Sequence, residues 1–154
     1  MASLDDIVDI FELLGDWDQR YQYLIELGEQ LAVMPEALKT EDNRVKGCMS
    51  QVWVSAWRDK DNPRLVQFYG DCDTSIIKGV LALLIQLSAG KTAAEIEQLD
   101  VDELFSRLNL AEHLSPNRHV GVYAIVELMK QQVRDLQSAD SAPPSPARAA
   151  SGSE

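Results

Sequence analysis

Cysteine is scarce in this chain: its 154 residues include two, Cys48 and Cys72, and neither has a CxxC partner. A disulfide-stapled scaffold and a four-cysteine zinc site are therefore excluded. Histidine is equally scarce; His113 and His119 stand off the usual structural-zinc spacings. Basic residues are also few, 14 Lys and Arg against 25 Asp and Glu, for a net charge of -11. Such a field repels phosphate backbones, which argues against nucleic acid or an anionic membrane as the main partner and favours a basic patch on a protein or cofactor partner. Long apolar runs are absent as well. The longest, Val80 to Ile85, is far short of the roughly 20 residues that span a bilayer. No phosphate-binding P-loop and no GxGxxG occurs. The start, Met1-Ala2-Ser3-Leu4-Asp5-Asp6, lacks a secretory pattern, so a reducing, cytoplasmic location with both thiols reduced is the expectation.

What is present suits one globular domain: 45% hydrophobic and 25% charged residues. Ile7, Ile10, Phe11 and Leu14 share a helical face, and Ser3 with Asp6 forms a capping-box start. Asp16 and Gln19 open a second helix that ends before Pro35, and a polar loop then runs from Met34 to Arg44. Val52, Val54 and Ala56 alternate with Trp53, Ser55 and Trp57, and Leu65 to Tyr69 follows a turn at Arg58 to Pro63, which predicts an antiparallel hairpin. Val45 is a candidate for a third, preceding strand, with Gly47 and Cys48 in the tight connection. Thr74 to Leu87 is apolar on nearly all sides, as a helix buried against the sheet would be. Thr92 to Glu95 caps a short helix, Asp100 or Asp102 begins another, and Ser115-Pro116 starts a long one reaching about Gln137. Residues 1–137 thus read as the domain and 138–154, rich in Ser, Ala and Pro, as a disordered tail.

Cys48 is the leading candidate for chemistry. It follows the flexible Gly47 and has Arg44 and Lys46 just upstream, in a chain that is otherwise acidic, and nearby cations favour the thiolate. A small buried hydrophobe at a strand start is the plain alternative. Around Cys72, Asp71 and Asp73 oppose the effect of a helix N-terminus; the plain reading is an acidic helix cap with Cys72 packed beside it. Arg118 and His119 lie in a first helical turn, where the macrodipole disfavours cations, which hints at another use. Trp53 and Trp57, on one strand face, read as core.

Gly47-Cys48-Met49-Ser50-Gln51-Val52-Trp53 resembles the GC-x-SQVW signature of the SufE/CsdE family, sulfur acceptors for cysteine desulfurases in iron-sulfur cluster assembly. Trp17 to Tyr21 with Leu24 to Gly28, Gly70 to Asp73 with Ile77 to Gly79, and Leu114 to Arg118 with Gly121 resemble three further family segments in the family's order. The resemblance covers roughly residues 4 to 137. It implies an α+β fold like that of SufE and IscU, with a small antiparallel sheet of about three strands packed against several helices. It also implies that Cys48 carries the sulfur as a persulfide. Gly47, Ser50, Gln51, Asp73 and Arg118 would support the active loop. No cofactor or metal is implied, since the pyridoxal phosphate (PLP) belongs to the partner. Implied partners are a cysteine desulfurase (SufS/CsdA-like), which the protein would activate without being an enzyme itself, and a downstream iron-sulfur scaffold. Family members commonly have serine where this chain has Cys72. That second thiol could resolve the persulfide, form a regulatory disulfide or do nothing. A metal-binding or iron-sulfur scaffold role, with Cys48, Cys72 and a histidine as ligands, is the rival reading, and self-association as a homodimer is left open.

Overall fold

The computed structural model describes residues 3–140 and has an α+β fold. Helix α1, Leu4–Leu14, starts as expected: the Ser3 hydroxyl accepts from the Asp6 amide while the Asp6 carboxylate accepts from the Ser3 amide at 3.0 Å. Helix α2, Trp17–Glu29, is capped by Asp16, which accepts from the Gln19 amide at 2.9 Å. Trp17 sets its ring edge-on to Phe11, and the Arg20 guanidinium donates to the Phe11 carbonyl at 2.8 Å, locking the two helices together. The following stretch is irregular apart from a single 3-10 turn at Glu36–Leu38.

The hairpin forms where the alternation placed it. Strand β1, Val52–Arg58, pairs antiparallel with β2, Leu65–Cys72, in a register that puts Val52 opposite Cys72 and Arg58 opposite Val66. Asp59 accepts from the Asp61 and Asn62 amides and so shapes the turn between them. The third strand is β3, Lys91–Thr92, which pairs with β2 after the next helix instead of preceding β1. Near Val45 there is only an isolated bridge between Arg44 and Trp53, with the Val45 amide donating to the Val52 carbonyl at 2.8 Å. The physical reason lies in the last helix, α6, Pro116–Asp140. Its Gln132 accepts from the Ala56 amide at 2.9 Å and donates to the Val54 carbonyl at 2.8 Å. That side chain takes the Ala56 and Val54 groups of the β1 edge that a longer third strand would have paired, while the Asn43 carbonyl accepts from the Val54 amide at 2.9 Å.

Helix α3, Ser75–Ser88, runs through the centre, packed on α2 and on β2, and ten of its residues are buried. Short helix α4, Ala93–Glu97, carries the expected Thr92 cap, and α5, Val101–Leu108, is capped by Asp100, one of its two expected starts. In α6, Val122, Ile125, Val126, Met129 and Val133 face the core. The helix extends to Asp140, past the expected end near Gln137; the rest of the expected tail, 141–154, lies outside the described residues. The two tryptophans depart from expectation. Val52 and Val54 occupy the face of β1 that meets the helices, so the twofold repeat turns Trp53 and Trp57 to the other side, where both are half-buried. There Trp57 stacks on Tyr69 at 5.7 Å and Lys39 lies over the Trp53 ring at 5.6 Å. Among the described residues, no helix is long and apolar enough to cross a membrane.

The α2–α3 crossing is close enough to require glycine. A Cβ on Gly79 would lie 2.2 Å from the Leu24 carbonyl oxygen, and one on Gly28 would lie 3.0 Å from the Gly79 nitrogen. Backbone cannot swing aside as a side chain can, so Gly79→Ala must separate two packed helices. It is expected to cost about 2–3 kcal/mol, seen as a lower urea midpoint, with a smaller loss for Gly28→Ala.

Candidate functional site

Because Val52 stands opposite Cys72, the loop entering β1 and the turn leaving β2 meet at one end of the sheet. Hydrogen bonds clamp them together. The Gln51 amide donates to the Asp73 carboxylate at 3.1 Å and the Asp73 amide returns to the Gln51 carbonyl at 3.2 Å. The Ser50 and Thr74 hydroxyls lie 2.8 Å apart, and the Thr74 hydroxyl also donates to Asp73 at 3.1 Å. Thr74, at the N-cap position of α3, makes no side-chain cap bond; its hydroxyl serves the clamp instead. This corrects the reading of Asp71 or Asp73 as the helix cap.

Cys48 sits in the clamped loop, two residues before Ser50. Gly47 before it has φ +85°, in the left-handed region that favours glycine, and so turns the chain just ahead of the cysteine. The Cys48 side chain is half-buried and packs against the core, with its sulfur toward α6: a Cβ built on Gly121 would lie 2.8 Å from Cys48 Sγ. Met49 and Val120, 83% and 57% exposed, flank the two contacting residues. Arg118 precedes Gly121 by three residues, on the same side of α6. It is exposed, and its guanidinium has no ion-pair partner among the described residues.

The cations next to Cys48 in sequence do not form the basic pocket that their spacing suggested. Lys46 Nζ contacts the Glu41 carboxylate at 2.6 Å and Arg44 reaches its other oxygen at 3.4 Å. These bonds, led by that from Lys46, hold the Glu41 carboxyl below the usual range. Asp71 is similarly engaged, with Lys39 at 2.7 Å and Lys78 at 3.3 Å. Burial alone would raise its carboxyl, but the two lysines and the Cys72 amide hold it below the ordinary value.

Cys72 lies on the other side of the clamp. Burial pushes its thiol up to about 11; the Thr74 amide, 3.4 Å from Sγ, opposes this, while Asp73, Cys48 and Asp71 reinforce it. The two opposing influences read from the sequence are thus resolved by a third, desolvation. Neither cysteine forms a disulfide.

The structure therefore brings Gly47, Cys48, Ser50, Gln51, Asp73 and Cys72 together, with Arg118 on the helix that backs them. Gln51 acts through its backbone. Thr74 escaped the sequence reading, although a threonine just after Asp73 is a recognisable turn signal, and Gly121 entered it only as a letter of a motif. The histidines lie elsewhere: His113 stacks on Trp17 at 3.7 Å, and His119 packs against Phe105 at 5.0 Å. Among the described residues no group of three or more His, Cys, Asp or Glu could hold a metal ion, so the ligand set required by the scaffold reading is not assembled.

A family model for SufE, described as an Fe-S metabolism associated domain, matches residues 5–133. The chain belongs to the SufE family. It is 40% identical over 134 residues to an uncharacterized SufE-like protein of Rhizobium meliloti (strain 1021), covering 86% of this chain and 95% of that one. A similarly named protein of Rhizobium etli is 41% identical over 136 residues, covering 87% and 91%. The fold is shared with the solution structure of a hypothetical protein from Thermus thermophilus, at a TM-score of 0.71 and 21% identity over 88% of this chain and 96% of that one. SufE membership associates the protein with iron-sulfur metabolism.

The unlike surroundings of the two thiols have a direct readout. Iodoacetamide at neutral pH is expected to modify native protein at Cys48 only, and Cys72 only as the pH nears 11 or the protein unfolds; equal labelling at neutral pH would contradict the buried, protonated Cys72. Because its folded value is raised, the contribution of Cys72 to stability is whole below the ordinary thiol value of 9.0 and is lost as pH climbs through about 11. Cys72→Ala should flatten that alkaline loss in urea titrations.

Proposed function

We propose that this SufE-family protein accepts sulfur on Cys48 from a PLP-dependent cysteine desulfurase and passes it toward an iron-sulfur scaffold. The observation that carries the proposal is the seating of Cys48: a half-buried sulfur on a loop clamped to the β2–α3 turn and backed by α6. In the transfer, the Cys48 thiolate attacks the outer sulfur of the partner's persulfide. A new S–S bond forms to Cys48, the old one breaks, and the partner's cysteine leaves as a thiolate. Electrons balance without an external oxidant, and the step calls for no metal or cofactor on this chain.

Gly47, Ser50, Gln51 and Asp73 keep the loop in shape, and Arg118 supplies positive charge for the anionic sulfur. Partial burial shields a persulfide from oxidation, and docking would shift the loop to expose it. The net charge of -11 suits a partner with a basic docking face and disfavours nucleic acid. In this reading residues 1–137 form the acceptor domain, the site of action is the cytoplasm, and the protein stimulates the desulfurase by emptying its cysteine without being an enzyme in its own right.

Mixing with a desulfurase and free cysteine, followed by mass spectrometry, tests the proposal. Wild-type protein should gain the mass of a sulfur atom at Cys48 and raise desulfurase turnover. Cys48→Ser should do neither and should melt near the wild-type temperature. Full stimulation by Cys48→Ser would overturn the assignment.

A further inference from the structure

Gly121 stands in the second turn of a 25-residue helix, where glycine is among the least favourable residues. Its φ is not positive, so the backbone itself does not call for glycine. Nor does packing against the core. The three heavy atoms nearest to a Cβ built at this position all belong to Cys48: Sγ at 2.8 Å, Cβ at 3.6 Å and Cα at 4.0 Å. The space left by the missing methyl group is filled by the candidate sulfur carrier.

We propose that Gly121 is a positioning residue for sulfur transfer, its bare Cα forming the seat on which Cys48 Sγ rests. The inference depends on the reading of Cys48 as the acceptor. With one side of the sulfur walled by α6, an incoming persulfide must approach from the side away from the helix, and the S–S bond formed on Cys48 points the same way. Only Sγ lies closer to the built Cβ than ordinary contact distance, and Sγ is the end of a side chain with one rotatable bond. An alanine at 121 therefore evicts the sulfur by rotating it while leaving the helix, which prefers alanine, intact. Misplacing a reacting atom by about 1 Å can cost on the order of a hundredfold in rate.

The test compares wild type, Gly121→Ala, Cys48→Ala and the double variant. Gly121→Ala is expected to keep its far-ultraviolet circular dichroism, to lose about ten- to a hundredfold in the rate of sulfur uptake from a desulfurase, and to show a displaced pH profile for iodoacetamide alkylation of Cys48. Thermal unfolding provides the second reading. With Cys48→Ala the colliding atom is gone, so Gly121→Ala should raise the melting temperature more in that background than in wild type. Should Gly121→Ala alone fold poorly, Cys48→Ala must rescue it. Wild-type uptake and an unchanged alkylation profile in Gly121→Ala, equal thermal shifts in the two backgrounds, or failure of the rescue would each overturn the seat. If wild-type protein takes up no sulfur at all, the acceptor reading falls, while alkylation and the thermal cycle still decide whether Gly121 seats Cys48.

Discussion

Val52 opposite Cys72 is the pairing on which the candidate site depends. In this register the last loop residue before β1 and the first turn residue after β2 lie side by side, and Gln51 and Asp73 can bond in both directions. A slip of one residue would turn the valines of β1 away from the helices and remove Asp73 from the Gln51 amide together. Core packing and site geometry are thus set by the same register. The loop inherits the rigidity of the sheet although its own residues form no regular element, and it keeps an exposed approach at Met49.

Two thiols at the same end of one sheet are made unlike by what surrounds them. Cys72 is the last residue of β2 and points into the core, where an ionised sulfur would be desolvated beside two carboxylates. It stays protonated across the physiological range and is a poor nucleophile there. Cys48 lies on the outer side of the clamp, half-buried against a helix. The hydroxyl of Thr74 is spent on the clamp when it could have capped α3, a substitution worth roughly 1 kcal/mol of helix stability. Local stability is given up where the loop must be held.

Much of the fold was legible because its signals are local. Ser3 and Asp6, Asp16, Thr92 and Glu95, and Asp100 mark helix starts by bonding to amides three residues away, and the hairpin shows in its own alternation. The failures share a cause. The edge beyond β1 is closed by Gln132, a residue 76 positions from Ala56, so nothing near Val45 could reveal why no full strand forms there. Alternation separates the two faces of a strand but does not say which is covered; hence Trp53 and Trp57 read as core and stand outside it. Arg44 and Lys46 read as an electropositive setting for Cys48, yet both turn to Glu41.

By itself the sequence determined the main helices and the β1–β2 hairpin, that Cys48 falls in an irregular connection, and which family the chain resembles. These rest on periodicity, capping and motif spacing, all properties of neighbours along the chain. Only the tertiary structure decided that Asp73 and Thr74 hold the loop, that Cys72 is the desolvated thiol, and that Cys48 packs against Gly121. Desolvation and close approach depend on which atoms arrive from distant segments, and Cys48 and Gly121, far apart along the chain, are brought together only by the packing of α6 against β1.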